Sequence, residues 1–207
     1  MNAESLIFDV DGTLWDSVAL VAKGWNLALR EAGLEASCTA DSIRPLFGKT
    51  MDEIAAAFLP GQPPARRSEI MDSCMAWENR VLWEDPCRIF YPGVLETLRK
   101  LSRRHRLFIV SNCHLGYIEL VVEKGNLGDI VTDHLCFGET GTCKAQTIRT
   151  LMERNGITSA AYIGDTQGDL EATHGAGLPF VWAAYGFGTP ETWEAKIDSF
   201  PELEKLF

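Results

Sequence analysis

The chain has 207 residues, of which 46% are hydrophobic and 23% charged, a composition typical of a folded globular protein. Its formal net charge of −10 argues against binding to nucleic acid or to an anionic membrane surface, because both partners are negatively charged and require a basic protein surface. No apolar run reaches the roughly 20 residues that span a bilayer, and Lys23 is the first basic residue. We therefore expect no signal peptide and a cytoplasmic location, where the six scattered cysteines would be free thiols.

The first predicted element is a strand over residues 6–10, within the stretch LIFDVDGTLWDS. Its apolar residues indicate burial, yet two carboxylates, Asp9 and Asp11, stand at its end, directly before Gly12. Buried charge without a partner is costly. Either a cation binds these carboxylates, or the strand ends at this point and the carboxylates have no functional role.

The next segment, from residue 17 to about 90, carries helical patterns and no convincing strand. Candidate helices cover 17–31, 52–58 and 66–83, and the Pro-rich stretch PGQPPARR at 60–67 separates the last two. Asp16 or Ser17 is placed to cap the first helix. We predict an all-helical insertion at 17–90, closed by a linker over 85–93, between two parts of one core, 1–16 and 91–207.

Beyond the insertion, short apolar runs alternate with helix-like stretches. The predicted strands are 106–111, 134–138, 160–164 and 179–184. The predicted helices are 93–103, 116–125, 144–155 and 168–176. Alternation of this kind gives an α/β fold, a parallel sheet with helices on both faces.

Polar residues follow most of these strands, at the edge where open parallel sheets bind ligands. They are Asp9 and Asp11, then Ser111 and Asn112, then Lys144, and finally Asp165 and Asp169. Converging carboxylates repel one another unless a divalent cation lies among them, and Mg²⁺ prefers carboxylate, water and phosphate oxygens. Lys144 adds a positive charge, and Ser111 with backbone N–H groups can hold phosphate oxygens.

Four segments in this order resemble the motifs of the haloacid dehalogenase-like hydrolase superfamily: DVDGTLWDS, VSN, Lys144 and GDTQGD. The resemblance covers essentially the whole chain and is closest to the phosphoglycolate-phosphatase-like branch. It implies a Rossmann-like core with an all-helical cap inserted after the first strand. The stretch KAQTI departs from the family, in which a proline-containing stretch often follows the lysine. The true dehalogenases lack the second acid, so Asp11 favours phosphate chemistry.

The resemblance also implies roles for the core residues. Asp9 is the expected nucleophile, and Asp11 the acid that protonates the leaving alcohol and then the base that activates water. Phosphate contacts are expected from Gly12, Ser111, Asn112 and Lys144, with Ser111 and Lys144 also counted as catalytic. The metal ligands are expected to be Asp9, the backbone carbonyl of Asp11, and Asp165. Asp169 is expected to orient metal-bound waters or Lys144.

One turn of the insertion, RPLFGKT, is a candidate substrate contact. The resemblance implies that a Gly-containing turn between cap helices dips into the active site. Its candidate residues are Arg44, Phe47, Gly48 and Lys49. The alternative is a plain loop between helices with exposed charges.

We therefore predict a Mg²⁺-dependent hydrolase of small phosphate monoesters that forms an aspartyl-phosphate, with 2-phosphoglycolate the first substrate to test. The expected partner is a small phosphorylated metabolite, not nucleic acid or a membrane. A phosphonate hydrolase would need Lys49 for a Schiff base. A sugar-phosphate mutase typically has a histidine in the first cap helix, and 17–31 contains none. A catalytically silent binding protein is the third alternative, disfavoured because every motif acid is present.

Overall fold

The structure is a computed structural model that describes residues 1–86 and 88–207. Contacts between Cα atoms divide the chain into two compact units, a core unit (Met1–Asp16 with Phe90–Phe207) and a helical unit (Ser17–Ile89). Cys87, which belongs to the predicted linker over 85–93 and to the six expected thiols, lies outside the described residues. The other cysteines are free thiols, as expected.

A six-stranded sheet forms the centre of the core unit. Its strands are β1 (Ser5–Phe8), β2 (Arg106–Ser111), β3 (Val131–Cys136), β4 (Ala160–Gly164), β5 (Phe180–Ala183) and β6 (Ala195–Ile197). The spatial order is β3-β2-β1-β4-β5-β6, and every neighbouring pair is parallel. The predicted α/β fold, with a parallel sheet and helices on both faces, is confirmed. Strand β1, which ends directly before Asp9, is hydrogen-bonded to β2 on one side and to β4 on the other.

Both faces of the sheet are buried, which explains the apolar strands. On one face Ile7 and Phe108 lie in a core cluster with Ile148. Successive side chains of a strand point to opposite faces, and Phe8 packs its ring 5.7 Å from that of Phe200. A strand covered on both faces is apolar along its whole length instead of alternating.

The helical unit contains α1 (Val18–Glu31), α2 (Ala40–Ile43), a 3₁₀ turn (Arg44–Leu46), α3 (Met51–Phe58) and α4 (Pro64–Glu84). Its described residues form no named strand, as predicted. The predicted loop over 60–67 is too long, because α4 begins at Pro64. Proline suits the first turn, where its missing N–H has no intrahelical acceptor. Ser17, one of the two candidates, is the N-cap residue of α1, although its side chain makes no capping hydrogen bond.

The helices of the core unit are α5 (Val94–Leu101), α6 (Tyr117–Gly125), α7 (Phe137–Thr140), α8 (Lys144–Asn155), α9 (Gln167–Gly175) and α10 (Leu203–Leu206). The edge strand β6 was not predicted, because three residues are too few to establish an alternating pattern. Within residues 1–86 and 88–207, no helix is both long and apolar enough to cross a bilayer. The cytoplasmic location stays a prediction.

Candidate active site

The turn after β1 presents the first two acids of the site. The backbone N–H of Asp9 donates to the carbonyl of Ile163 at 2.9 Å, which continues the pairing with β4. The chain then turns at Gly12, whose φ is +82°. A side chain there would overlap the carboxylate of Asp165. Glycine is required both by the backbone conformation and by this close approach.

Lys144 links two of the predicted site carboxylates. It is the first residue of α8, and its ammonium Nζ lies 2.7 Å from Oδ1 of Asp9 and 2.5 Å from Oδ1 of Asp169. The side chain is buried, and burial by itself would lower the pKa of Lys144. The charges of Asp169 and Asp9 outweigh that cost and raise the pKa well above its usual range, so Lys144 remains a cation.

Asp169 is held as an anion by its local structure. Burial would raise its pKa, but the charge of Lys144 and hydrogen bonds from Thr166 lower the pKa below its usual value. Its Oδ2 accepts from the Thr166 hydroxyl at 2.7 Å and from the Thr166 backbone N–H at 3.0 Å. Thr166 and Asp169 form the capping box that begins α9. This placement supports the predicted role of Asp169 in orienting Lys144.

Asp165 is a fully buried carboxylate directly after β4. Its Oδ2 accepts from the backbone N–H of Phe187 at 2.7 Å, and its Oδ1 accepts from the hydroxyl of Thr13 at 3.4 Å. Burial, together with the charges of Asp169 and Asp9, raises the pKa of Asp165 well above its usual range. The charge of Lys144 lowers the pKa of Asp165 too little to offset these effects, so Asp165 ionises fully only if a further cation binds.

The three carboxylates make a cluster that suits a hard divalent cation. One oxygen from each of Asp9, Asp165 and Asp169 lies within 4.8 Å of the others. Burial, opposed by Lys144, raises the pKa of Asp9 to about 7. When all three are ionised, three carboxylates against one ammonium leave two negative charges, which a divalent ion would balance. The donor set thus fits a metal, with Asp169 lying close to the two predicted side-chain ligands.

Asp11 is held by two aromatic side chains that were not predicted as site residues. Its Oδ1 accepts from the indole N–H of Trp15 at 2.9 Å and from the hydroxyl of Tyr117 at 2.8 Å. The quoted motif already contained Trp15, but nothing in the sequence paired it with Tyr117. Only the folded chain brings the two residues together.

Ser111 and Asn112 lie at the end of β2. Because β2 is the parallel neighbour of β1, both residues reach the edge of the sheet where Asp9 lies. The Ser111 side chain is buried. Their predicted phosphate contacts remain predictions.

His114, a little further along the same loop, is a buried histidine. Its ring lies 5.3 Å from that of Tyr117 in an edge-to-face arrangement. Burial lowers the pKa of His114 to about 4, so the ring is neutral near pH 7. This supports a structural interpretation over a catalytic one.

The candidate substrate turn lies in the helical unit and comprises the 3₁₀ turn and the residues between it and α3. Arg44 begins the 3₁₀ turn, Phe47 follows it, and Gly48 adopts a φ of +84°. Lys49 is exposed, directly before the capping box with which Thr50 begins α3. A Gly-containing turn between helices is present as expected. Its contact with a substrate stays a prediction.

Comparison with known proteins identifies the family. The family model of haloacid dehalogenase-like hydrolases matches residues 6–183. The chain belongs to the haloacid dehalogenase-like hydrolases. It is 26% identical to a phosphoglycolate phosphatase of Rhodobacter capsulatus, over 99% of this chain and 92% of that protein. It is 27% identical to a phosphoglycolate phosphatase of Aquifex aeolicus, over 88% of this chain and 85% of the relative.

Solved structures share the fold. A predicted phosphoglycolate phosphatase from Haemophilus somnus 129PT superposes with a TM-score of 0.85 at 21% identity, covering 99% of this chain and 97% of that chain. A mutant of CbbY from Rhodobacter sphaeroides, solved in complex with xylulose-1,5-bisphosphate, gives a TM-score of 0.82 at 20% identity, covering 98% and 96%.

Proposed function

We propose that this protein hydrolyses small phosphate monoesters through an aspartyl-phosphate formed on Asp9. The observation that carries the proposal is the buried ammonium of Lys144, shared between Asp9 and Asp169. An anionic nucleophile and an anionic phosphate repel each other. A fixed cation beside the nucleophile removes much of that repulsion, because it is already positioned before the substrate arrives.

Two carboxylates divide the chemistry between them. The Asp9 carboxylate attacks phosphorus, the bond from phosphorus to the leaving oxygen breaks, and Asp11 gives that oxygen a proton. A water then attacks the aspartyl-phosphate, and Asp11 takes the proton of that water as phosphate leaves. The second step returns Asp9 as a carboxylate. Ser111, Asn112 and the backbone at Gly12 are proposed to hold the phosphoryl oxygens.

Mg²⁺ is the metal that we propose for the carboxylate cluster. Asp9, Asp165 and the backbone carbonyl of Asp11 would hold it, and their oxygens are the hard donors that Mg²⁺ prefers. When bound, the ion supplies Lewis-acid stabilisation of charge on the phosphoryl group. Asp169 is proposed to keep Lys144 in place without binding the metal itself.

The proposed substrate class is a small phosphorylated metabolite. The two relatives named above are phosphoglycolate phosphatases, and one structural neighbour holds a bisphosphate sugar. We propose 2-phosphoglycolate as the first compound to test. Its carboxylate needs a cation in a protein with a net charge of −10. Arg44 and Lys49 are the candidates for that contact.

A phosphate-release screen with Mg²⁺ tests this proposal. Wild type and Asp9→Asn would be compared on 2-phosphoglycolate, other small phosphate esters and a phosphopeptide. Release of phosphate from small esters by wild type alone is the expected result. If no ester releases phosphate in an Asp9-dependent way, the proposal is wrong. A rearranged sugar phosphate without release would indicate a mutase, and borohydride trapping of a carbonyl substrate would indicate a phosphonate hydrolase.

A further inference from the structure

The side chain of Asp11 is bound on one oxygen by two neutral donors from separate segments of the core unit. Trp15 Nε1 lies 2.9 Å and Tyr117 Oη 2.8 Å from Oδ1 of Asp11. Both aromatic side chains are only 1% exposed. Neither aromatic side chain takes part in the proposed chemical steps.

Both donors are rigidly placed. The backbone carbonyl of Trp15 accepts from the N–H of Gly12 at 2.9 Å, which holds the backbone of Trp15 in the turn after β1. Tyr117 is the first residue of α6 and follows Gly116, whose φ is +88°. The two rings meet edge to face, with centroids 5.6 Å apart and planes at 82°. Each ring therefore restricts the rotation of the other.

We propose that Trp15 and Tyr117 are positioning residues for proton transfer by Asp11. This proposal rests on the proposed function, in which Asp11 protonates the leaving oxygen. The terminal torsion of an aspartate is broad, and two donors that converge on Oδ1 select one orientation of the carboxyl plane. With Oδ1 accepting both hydrogen bonds, the proton that Asp11 transfers is carried on Oδ2.

A merely structural reading of these contacts is also available, because buried tyrosine and tryptophan usually find a partner for their polar group. The two readings differ in what they predict for catalysis. A structural hydrogen bond affects every substrate equally. A bond that orients an acid matters most for the substrate whose leaving group needs a proton.

Tyr117→Phe separates the two readings, because it keeps the ring and removes only the hydroxyl. The parameter to measure is kcat/KM, which excludes the later hydrolysis of the aspartyl-phosphate shared by all esters. We expect kcat/KM to fall about 10-fold for an alkyl phosphate and less than about 3-fold for 4-nitrophenyl phosphate, which needs little protonation. An equal fall for both esters would overturn the proposal.

Tyr162→Phe is the matched control. Tyr162 is also fully buried, and its hydroxyl donates at 2.8 Å to the carbonyl of Val110 rather than to Asp11. Its ring lies 5.6 Å from the ammonium of Lys144, which Tyr162→Phe retains, and any effect through Lys144 would act on both esters alike. It should keep the wild-type ratio of kcat/KM between the two esters. In an Asp11→Asn background, Tyr117→Phe should no longer change that ratio, since the acid it orients is gone. A ratio that still changes there would argue that Tyr117 acts by another route.

An NMR measurement tests the contact independently of turnover. The indole ¹⁵N–H signal of Trp15, assigned from its loss in Trp15→Phe, should shift in Tyr117→Phe, because both donors share one oxygen. It should shift also in Asp11→Ala. An unmoved signal in both variants would overturn the positioning proposal, even in an active enzyme. Shifted signals in a protein without phosphatase activity would instead show that the proposed function has failed while the contact is real.

Discussion

Lys144 donates to Oδ1 of Asp9 at 2.7 Å, with both side chains almost completely buried. The two residues are 135 positions apart in sequence. The ion pair of the proposed nucleophile with Lys144 is therefore buried inside the folded core unit. Because Lys144 also binds Asp169, neutralising Asp9 does not leave the ammonium without an anionic partner.

The first prediction concerns the nucleophile. Asp9→Asn should lower kcat at least about 1000-fold, because the amide has nearly the same shape but cannot attack phosphorus. The melting temperature should change little, since the amide oxygen still accepts from Lys144. Steady-state kinetics and thermal unfolding measure the two effects. Asp198→Asn, at an exposed carboxylate paired with Lys196, is the control and should keep full activity. Wild-type turnover by Asp9→Asn would contradict the mechanism.

The second prediction concerns the metal. Chelation with EDTA should abolish activity and Mg²⁺ should restore it, whereas Ca²⁺ should bind and support little turnover because of its larger coordination number. Mg²⁺ at about 100 times its Kd should stabilise wild type by about 2.7 kcal/mol. Asp165→Asn should lose most of this stabilisation in a thermal unfolding assay. Full activity in excess chelator would refute the metal assignment.

The third prediction uses two glycines with similar backbone angles. Gly12 (φ +82°) faces the Asp165 carboxylate, whereas Gly33 (φ +72°) has open space where a Cβ would lie. Gly33→Ala should therefore cost only the backbone strain, about 1–2 kcal/mol. Gly12→Ala should cost more and also lower kcat, because Asp165 must move. Equal losses of unfolding free energy, with activity retained in both variants, would show that the close approach is unimportant.

The fourth prediction is a pH dependence of stability. Burial lowers the pKa of His114 from 6.5 to about 4, so between these values the unfolded chain binds the proton and the folded chain does not. The contribution of His114 to the free energy of unfolding is fully present above about pH 6.5. It falls by about 3 kcal/mol as the pH is lowered to about 4. Urea unfolding at several pH values measures this, with His114→Phe as the comparison. If the free energy of unfolding of His114→Phe fell with pH as steeply as that of wild type, His114 would not be the group responsible.

The fifth prediction concerns substrate recognition by the helical unit. Arg44→Ala and Lys49→Ala would be assayed on 2-phosphoglycolate and on an uncharged phosphate ester. If either cation meets the substrate carboxylate, that variant should lose about 1–3 kcal/mol of transition-state binding on the acid alone. Equal losses on both esters, or none, would remove these residues from the proposed site.

The parallel fold and most of its elements could be predicted because their signals are local. Apolar runs such as the one before Asp9 identify buried strands, and Gly156, in the left-handed conformation, ends α8 as a helix-capping glycine should. The boundary at Pro64 was missed because one proline can either extend a loop or start a helix. The short elements α2 and β6, of four and three residues, are too short to show a periodic pattern.

The acids of the site and Lys144 could be located because each follows a strand and belongs to a motif. The hydrogen bonds to Asp11 could not, since they depend on where the first turn of α6 packs against the turn after β1. Tyr117 looks in sequence like any aromatic residue at the start of a helix. Its role as a donor depends on a contact with a residue 106 positions away.

The central place of β1 has a consequence for how the chain is made. Its partners are β2 and β4, and β4 is synthesised about 150 residues after β1, a delay of roughly 8 to 30 s on a ribosome adding about 5–20 residues per second. During that interval an apolar strand carries unpaired backbone groups, the condition under which nascent chains aggregate. The helical unit, in which α1 packs against α4, lies between the two strands in sequence and is synthesised during that interval. Asp9 and Asp11 are thus synthesised well before Lys144 and Asp165, so the proposed site can be assembled only after β4 has been made.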